Sequence, residues 1–212
     1  DLHLSLRRQR QMCIRDRKIP ISIVYNKKTE LNRNTPILLY AYGSYGSTID
    51  PSFSSTRLSL LDRGFAFAIA HIRGGQDLGR DWYDQGRMMN KMNTFYDFID
   101  CTKGLLNAGF GDYDNIFAMG GSAGGLLMGT VINLEPTLFK GIVSAVPFVD
   151  VLTTMSDESI PLTTFEYMYS CGFVQSILLF VKPALTSSAS VIIYHFTLCD
   201  QYLAENLSGL GS

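Results

Sequence analysis

Short apolar segments recur along the chain, and their length is typical of buried strands rather than helices. Four of them are almost entirely apolar or small: residues 36–42, 65–72, 116–119 and 141–146. A fifth segment alternates apolar with polar or small positions, which predicts a half-buried strand at one edge of the sheet. Its apolar positions are Ile19, Ile21, Ile23 and Tyr25.

Stretches with helical spacing separate these strands. Residues 54–62 predict a helix closed by Gly64, residues 94–107 a helix closed by Gly109, and residues 126–134 a third helix. Strands that alternate with helices predict an α/β fold with a mostly parallel sheet flanked by helices. In such sheets the reactive edge lies at the carboxyl ends of the strands, where the loops are rich in Gly, Asp, Tyr and Arg.

Ser122 is the strongest candidate for chemistry. It stands in Gly-Gly-Ser-Ala-Gly, a full G-x-S-x-G, between the apolar run 116–119 and the helix-prone run 126–134. Strand, Gly-flanked turn and helix are the context of a nucleophile elbow, which exposes the serine hydroxyl above the sheet. The backbone N–H of Ala123 then points to the place where an oxyanion would form. The alternative is a turn whose glycines serve packing alone.

Composition excludes several other classes. The chain has 212 residues, 46% of them hydrophobic and 17% charged, as expected for a globular domain. A net charge of −1 gives no basic surface for nucleic acid. No apolar run approaches the ~18 residues of a membrane span. The absence of G-x-G-x-x-G and of a Gly-Lys phosphate loop favours a protein without a nucleotide cofactor.

The four cysteines are far apart and form no C-x-x-C pair. This spacing predicts neither a metal site nor a disulfide framework. We therefore expect free thiols and a cytoplasmic location.

The two ends differ from the centre of the chain. Residues 1–17 are rich in arginine, lack the apolar core of a secretory signal, and resemble translated adapter sequence, so they are set aside as non-matching. Residues 18–167 are expected to form the domain. Residues 168–212 are expected to be a divergent tail of uncertain structure, so that the fold is incomplete at its C-terminal end.

Five separated motifs, in order, resemble one family. They are AYGSYG (41–46), TRLSLLDRG (56–64), AHIRGGQDLG (70–79), MGGSAGG (119–125) and VPFVDVLTTMSDESIPLTT (146–164). Together they resemble the catalytic domain of the oligopeptidase B branch of the prolyl oligopeptidase family of serine peptidases. The resemblance covers residues 18–167 and implies an α/β-hydrolase fold that cleaves short peptides after Arg or Lys. It also implies a β-propeller domain in the full-length protein, which is expected to be absent from these 212 residues.

The resemblance implies roles for particular residues. Ser122 corresponds to the nucleophile, and Tyr42 to the tyrosine whose hydroxyl completes the oxyanion hole with the N–H of Ala123. Glu166 corresponds to the first of two glutamates that hold the basic substrate side chain, since a buried guanidinium needs a charged partner. Asp50 corresponds to an acidic loop position that contacts the next substrate residue. Without the resemblance, packing at a strand end is the simpler explanation of Tyr42.

The chain departs from the family at several of these positions. Met168 replaces the second glutamate and Ser52 the partner of Asp50, while Asp157 and Glu158 are interpreted as solvated loop carboxylates. Half of the expected glutamate pair is therefore missing.

The catalytic triad is also incomplete. In α/β-hydrolases the acid and then the histidine follow the serine. Asp200 is a weak candidate for the acid. His195 follows Ser122 but lies in an apolar run, His71 is interpreted as structural, and the family histidine is expected past residue 212. The chain as written is therefore expected to be inactive or nearly so. An esterase or lipase on the same fold, and a non-catalytic fragment, remain the alternatives.

Overall fold

The computed structural model describes residues 8–14, 17–150, 154 and 190–194 of the chain. The strands are β1 (Arg8–Ile14), β2 (Arg17–Tyr25), β3 (Ile37–Tyr40), β4 (Ala66–Ala70), β5 (Ile116–Gly121), β6 (Gly141–Ala145) and β7 (Ser190–Tyr194). The helices are α1 (Ser55–Asp62), α2 (Arg80–Asp84), α3 (Met92–Asn107) and α4 (Ala123–Leu134), and a single 3-10 turn spans Met88–Asn90.

The seven strands of the described residues form one sheet in the order β1-β2-β4-β3-β5-β6-β7. Neighbours from β4 to β7 are parallel, whereas β1 and β2 are antiparallel to each other and β2 is antiparallel to β4. The prediction of a mostly parallel sheet flanked by helices is confirmed. The carboxyl ends of β3, β4 and β5 consequently lie side by side at one edge.

The prediction that residues 19–25 form an edge strand is wrong. Strand β2 pairs with β4 on one side and with β1 on the other. Its buried positions include Pro20 and Ser22 as well as the alternating isoleucines. Strand β1 comes from the arginine-rich segment that sequence analysis had set aside, so the second neighbour of β2 could not be anticipated.

Helices cover both faces of the sheet, and alternate residues of β4 pack against the helices on the two faces. Ala66, Ala68 and Ala70 face the larger core, which contains Phe95 and Phe98 of α3. Phe67 and Ile69 face the other way and pack with Leu61 of α1. Because both faces are covered, the strand is apolar throughout, as the continuous run 65–72 predicted.

The three predicted helices are present as α1, α3 and α4, and Gly64 follows α1 with a left-handed φ of 85°. The short helix α2 and the 3-10 turn were not predicted. Helix α4 begins at Ala123, three residues before the helix-prone run. Among the helices of the described residues, none combines the length and apolar character that crossing a bilayer requires.

Candidate active site

Ser122 lies in the turn between β5 and α4, at the carboxyl edge of the sheet. Its φ of 54° and ψ of −116° are unusual for a residue with a side chain, and it is exposed. The backbone is held on both sides, because the Ser122 N–H donates to the Ala145 carbonyl at 2.9 Å. The Ser122 carbonyl accepts from Gly125 at 2.9 Å and from Phe148 at 3.1 Å. A strained residue fixed in this way is a feature of functional sites.

The turn is possible because small residues allow backbones to approach closely. A Cβ on Gly124 would lie 2.9 Å from the carbonyl oxygen of Ala41, at the end of β3. A Cβ on Gly125 would lie 2.5 Å from Cα of Pro147, in the loop after β6. Helix α4 therefore starts directly against the ends of both neighbouring strands, as the elbow interpretation requires.

Ala123 is the first residue of α4. Its N–H belongs to the first turn of the helix, where helix geometry supplies no backbone acceptor. The same helix end carries a partial positive charge that favours an anion. The N–H of Ala123 is thus suited to stabilise negative charge next to the Ser122 hydroxyl.

Tyr42 lies beside the same turn. It follows β3 and Ala41, whose N–H donates to the carbonyl of Met119 in β5 at 3.4 Å. The Tyr42 ring reaches within 3.5 Å of the place that a Cβ on Gly124 would occupy. The ring is partly buried and lies 6.3 Å from that of Tyr45. The structure therefore brings Tyr42, Ser122 and Ala123 together.

His71 is not the partner of Ser122. Its Nδ1 lies 2.9 Å from a carboxylate oxygen of Asp77, and its Nε2 lies 2.8 Å from the hydroxyl of Ser22. The ring is buried, and both of its nitrogens are engaged. This agrees with the interpretation of His71 as structural. The three side chains share the connectivity of a triad, but Ser22 is largely buried in the middle of β2 and lies on a regular strand rather than on a strand-to-helix turn.

Asp50 is exposed. Asp50, His71 and Asp77 line a polar cavity of about 280 Å³, and the Ile49 N–H donates to Asp77 at 3.3 Å. A second, more apolar cavity of about 310 Å³ lies under Phe53 and Arg57. Ser122 lines neither of these two cavities.

Several residues singled out from the sequence lie outside the described residues. They are Asp157, Glu158, Glu166, Met168, His195 and Asp200. Within the described part of the chain, no cluster of three or more His, Cys, Asp or Glu residues has the geometry to hold a metal ion.

Sequence reasoning missed a buried ion pair behind the site. The Arg73 guanidinium contacts Asp97 of α3 through two bonds of 2.8 and 2.5 Å, and the Arg73 N–H donates to the same carboxylate at 3.0 Å. Both side chains are buried. The signal available was the Arg-Gly-Gly sequence directly after a buried strand, which marked the loop but not its partner 24 residues away.

An exposed serine on a strained strand-to-helix turn, at the carboxyl edge of a mostly parallel sheet, defines a domain of the α/β-hydrolase class. Comparison with known proteins identifies the family within this class. The sequence profile of the prolyl oligopeptidase family matches residues 51–172, and the chain belongs to this family of serine peptidases.

Curated relatives and solved structures agree with this assignment. The chain is 58% identical over 150 residues to dipeptidyl aminopeptidase BI of Pseudoxanthomonas mexicana, covering 71% of this chain and 21% of the relative. It is 52% identical over 150 residues to Protease 2 of Moraxella lacunata, and the match covers 71% of this chain and 22% of that relative. Oligopeptidase B from Leishmania major superposes with a TM-score of 0.81 at 42% identity, covering 89% of this chain and 28% of that structure. The chain thus spans about a fifth of the length of its curated relatives.

Proposed function

We propose that the protein containing this chain is a serine oligopeptidase that cleaves short peptides after Arg or Lys. The observation that carries the proposal is the exposed hydroxyl of Ser122 on its strained turn, beside Ala123 and Tyr42. The similarity to oligopeptidase B and Protease 2 supports the choice of a peptidase over an esterase or lipase.

In the proposed reaction the Ser122 Oγ attacks the carbonyl carbon of the scissile amide and loses its proton to a general base. The negative charge that develops on the carbonyl oxygen is stabilised by the N–H of Ala123 and the hydroxyl of Tyr42. Collapse of the tetrahedral species expels the amine, which takes the proton, and leaves an acyl-serine that water hydrolyses. A histidine must serve as the base, oriented by a carboxylate.

We propose that this base is neither His71 nor His195. His71 is occupied by Ser22 and Asp77, so it cannot accept the Ser122 proton without giving up a buried hydrogen bond. His195 lies outside the described residues, and its apolar context in the sequence argues against a poised base. Asp200, also outside the described residues, stays the candidate for the carboxylate that orients the base. The 212-residue polypeptide alone is therefore expected to have little peptidase activity.

For specificity, we propose that Glu166 binds the basic side chain before the scissile bond and that Asp50 binds the preceding residue. The exposed position of Asp50 supports access to a peptide. Because Met168 and Ser52 stand where partner acids are expected, the preference for Arg should rest on single carboxylates. Asp50→Asn should therefore raise KM for substrates with two consecutive basic residues and leave KM for singly basic substrates unchanged.

The peptidase assignment can be tested with matched chromogenic substrates. The full-length protein that carries this domain should hydrolyse an Arg amide well, the corresponding Ala amide poorly, and a long-chain lipid ester not at all. Ser122→Ala should abolish turnover. A preference for the lipid ester would overturn the peptidase proposal in favour of an esterase.

The activity of this chain alone can be tested with a fluorophosphonate probe, which labels only an activated serine. Labelling of the 212-residue polypeptide is expected to be weak. Strong labelling that is lost in Ser122→Ala would show that the chain supplies its own base. Repeating the labelling with the His71→Gln and His195→Gln variants would then identify which histidine is the base.

A second candidate activity is release of dipeptides from a free amino terminus, favoured by the 58% identity to dipeptidyl aminopeptidase BI. The two activities can be distinguished with a pair of Arg-Arg amides, one with a free amino group and one with an acetylated amino group. An oligopeptidase should cleave both, whereas a dipeptidyl aminopeptidase should cleave only the free form.

We also propose that the longer protein contains a β-propeller domain that restricts access to short peptides, and that it is cytoplasmic. The small share of each curated relative that this chain covers leaves room for a further domain. Cleavage of a short Arg peptide but not of the same sequence within a folded protein is the expected behaviour.

A further inference from the structure

The loop that follows Tyr42 has a strained backbone. Gly43, Tyr45 and Gly46 have left-handed φ values of 66°, 58° and 65°. Tyr45 is the costly member, since residues with a side chain seldom adopt this region. Such a conformation persists only where surrounding groups hold it in place.

Packing holds one side of this loop. A Cβ on Gly43 would lie 2.5 Å from a methyl carbon of Thr94, so α3 presses directly against the backbone there. On the other side, the Gly46 N–H donates to the Gly74 carbonyl at 3.0 Å. The loop is thus confined between α3 and the loop that follows β4.

Lys91 supplies the charged contact. It immediately precedes α3, and its side chain is buried. Its ammonium group donates to the carbonyl oxygen of Gly43 and, at 2.8 Å, to the hydroxyl of Ser44. The ammonium also lies 5.9 Å from the centre of the Phe95 ring. Burying an ammonium group costs free energy unless its N–H donors are hydrogen-bonded. Breaking the contacts with Gly43 and Ser44 would therefore be unfavourable.

We propose that Lys91 is a positioning residue for the oxyanion site. By holding the carbonyl of Gly43 and the side chain of Ser44, it fixes the backbone directly after Tyr42 and hence the direction of the Tyr42 hydroxyl. This inference rests on the proposed function, in which that hydroxyl stabilises the oxyanion. Lys91 touches neither the substrate nor the reacting atoms in this scheme.

The competing explanation is that Lys91 only stabilises the fold. The two explanations predict different effects of a Lys91 substitution on kcat and KM. A positioning role affects charge that develops in the transition state, so it lowers kcat and leaves KM nearly unchanged. A purely structural role lowers the amount of folded enzyme and leaves both constants of the folded fraction as they were.

The test is Lys91→Met in the full-length peptidase, assayed with an Arg amide. Methionine keeps an unbranched side chain of similar length and removes the charge and the donors. Loss of one oxyanion donor costs about 100- to 1,000-fold in kcat, and a misplaced one should cost about 10- to 100-fold. We expect a fall in kcat of that size with KM within about twofold of the parent.

The double variant Tyr42→Phe/Lys91→Met decides how Lys91 acts. If it acts through the tyrosine hydroxyl, Lys91→Met should lower kcat in the parent but cause little further loss once Tyr42 is phenylalanine. Equal losses in both backgrounds would overturn the inference. Unchanged kcat in Lys91→Met would also overturn it while leaving the peptidase proposal intact. A full-length parent without hydrolase activity would overturn both.

Two further variants keep the result interpretable. Lys103→Met removes a lysine of the same helical region that pairs with Glu135 at a partly exposed site, and it should leave kcat unchanged. Ser44→Ala removes one acceptor of Lys91 and should lower kcat by a few-fold even if Lys91→Met does not fold. Urea unfolding of each full-length variant shows whether a change in kcat is accompanied by a loss of folded protein.

Discussion

Gly120 and Gly124 face each other across the turn that carries Ser122. A Cβ on Gly120 would lie 2.2 Å from the carbonyl oxygen of Gly124 and 2.7 Å from its carbonyl carbon. The atoms in the way are backbone, so no side chain can move to relieve the overlap. The path of the strand into the helix thus depends on the absence of a single methyl group at position 120.

Gly120→Ala should therefore destabilise the protein far more than Gly121→Ala. A Cβ on Gly121 would be in ordinary contact, 3.4 Å from the carbonyl oxygen of Ala145. We expect Gly120→Ala to lower the free energy of unfolding by about 3 kcal/mol or more, and Gly121→Ala by less than about 1 kcal/mol. Urea unfolding of the two variants checks this. Similar stabilities would show that the turn can relax.

The strain at Ser122 gives a second prediction, separate from chemistry. At φ 54° a Cβ is unfavourable, and glycine removes that cost while adding some entropy to the unfolded chain. Ser122→Gly should therefore be more stable than Ser122→Ala by about 1 kcal/mol. Both variants lack the nucleophile, so the comparison isolates the backbone. A less stable Ser122→Gly would mean that the turn is not strained.

The elements that could be predicted from the sequence are those whose signals are local. The apolar runs of β3, β4, β5 and β6 are short and bounded by Gly or polar residues, and G-x-S-x-G marks the turn at Ser122 by itself. Helix α4 was predicted to start too late, at Leu126. The two glycines before it have low helix propensity, and tertiary packing against β3 and the loop after β6 overrides that propensity.

The features that could not be predicted depend on contacts between distant residues. His71 and Ser22 are 49 residues apart, and Lys91 and Gly43 are 48 apart. Nothing in the sequence around Lys91 distinguishes a buried lysine from a solvated one at the start of a helix. The edge position predicted for β2 failed for a similar reason, because strand pairing is decided by the partner strand.

The buried pair of Arg73 and Asp97 should contribute strongly to stability. Asp97→Asn keeps the volume and removes the charge, leaving the buried guanidinium without this carboxylate. Breaking one side of a buried pair costs about 3–5 kcal/mol. Asp114→Asn is the matched control, since Asp114 pairs with Lys140 at 3.0 Å on the surface and should change stability by less than about 0.5 kcal/mol. Equal effects in urea unfolding would contradict the buried assignment.

Cys101 should make stability fall at alkaline pH. Burial raises the pKa of its thiol well above the ordinary value of 9.0, and the charges of Asp97 and Asp100 act in the same direction. The folded state therefore keeps the thiol proton at a pH where the unfolded chain has lost it. Above about pH 9 the free energy of unfolding should decrease by up to about 1.4 kcal/mol per pH unit from this group. At lower pH the contribution should be constant.

Cys101→Ala should remove that part of the pH dependence, which urea unfolding at pH 8 and pH 9.5 would measure. Alkylation with iodoacetamide gives an independent check, because the thiolate is the reactive form and the side chain is fully buried. Peptide mapping should find Cys101 unmodified in the native protein and modified after unfolding. Rapid native alkylation at Cys101, or an unchanged pH slope in Cys101→Ala, would mean that α3 opens to solvent at this position.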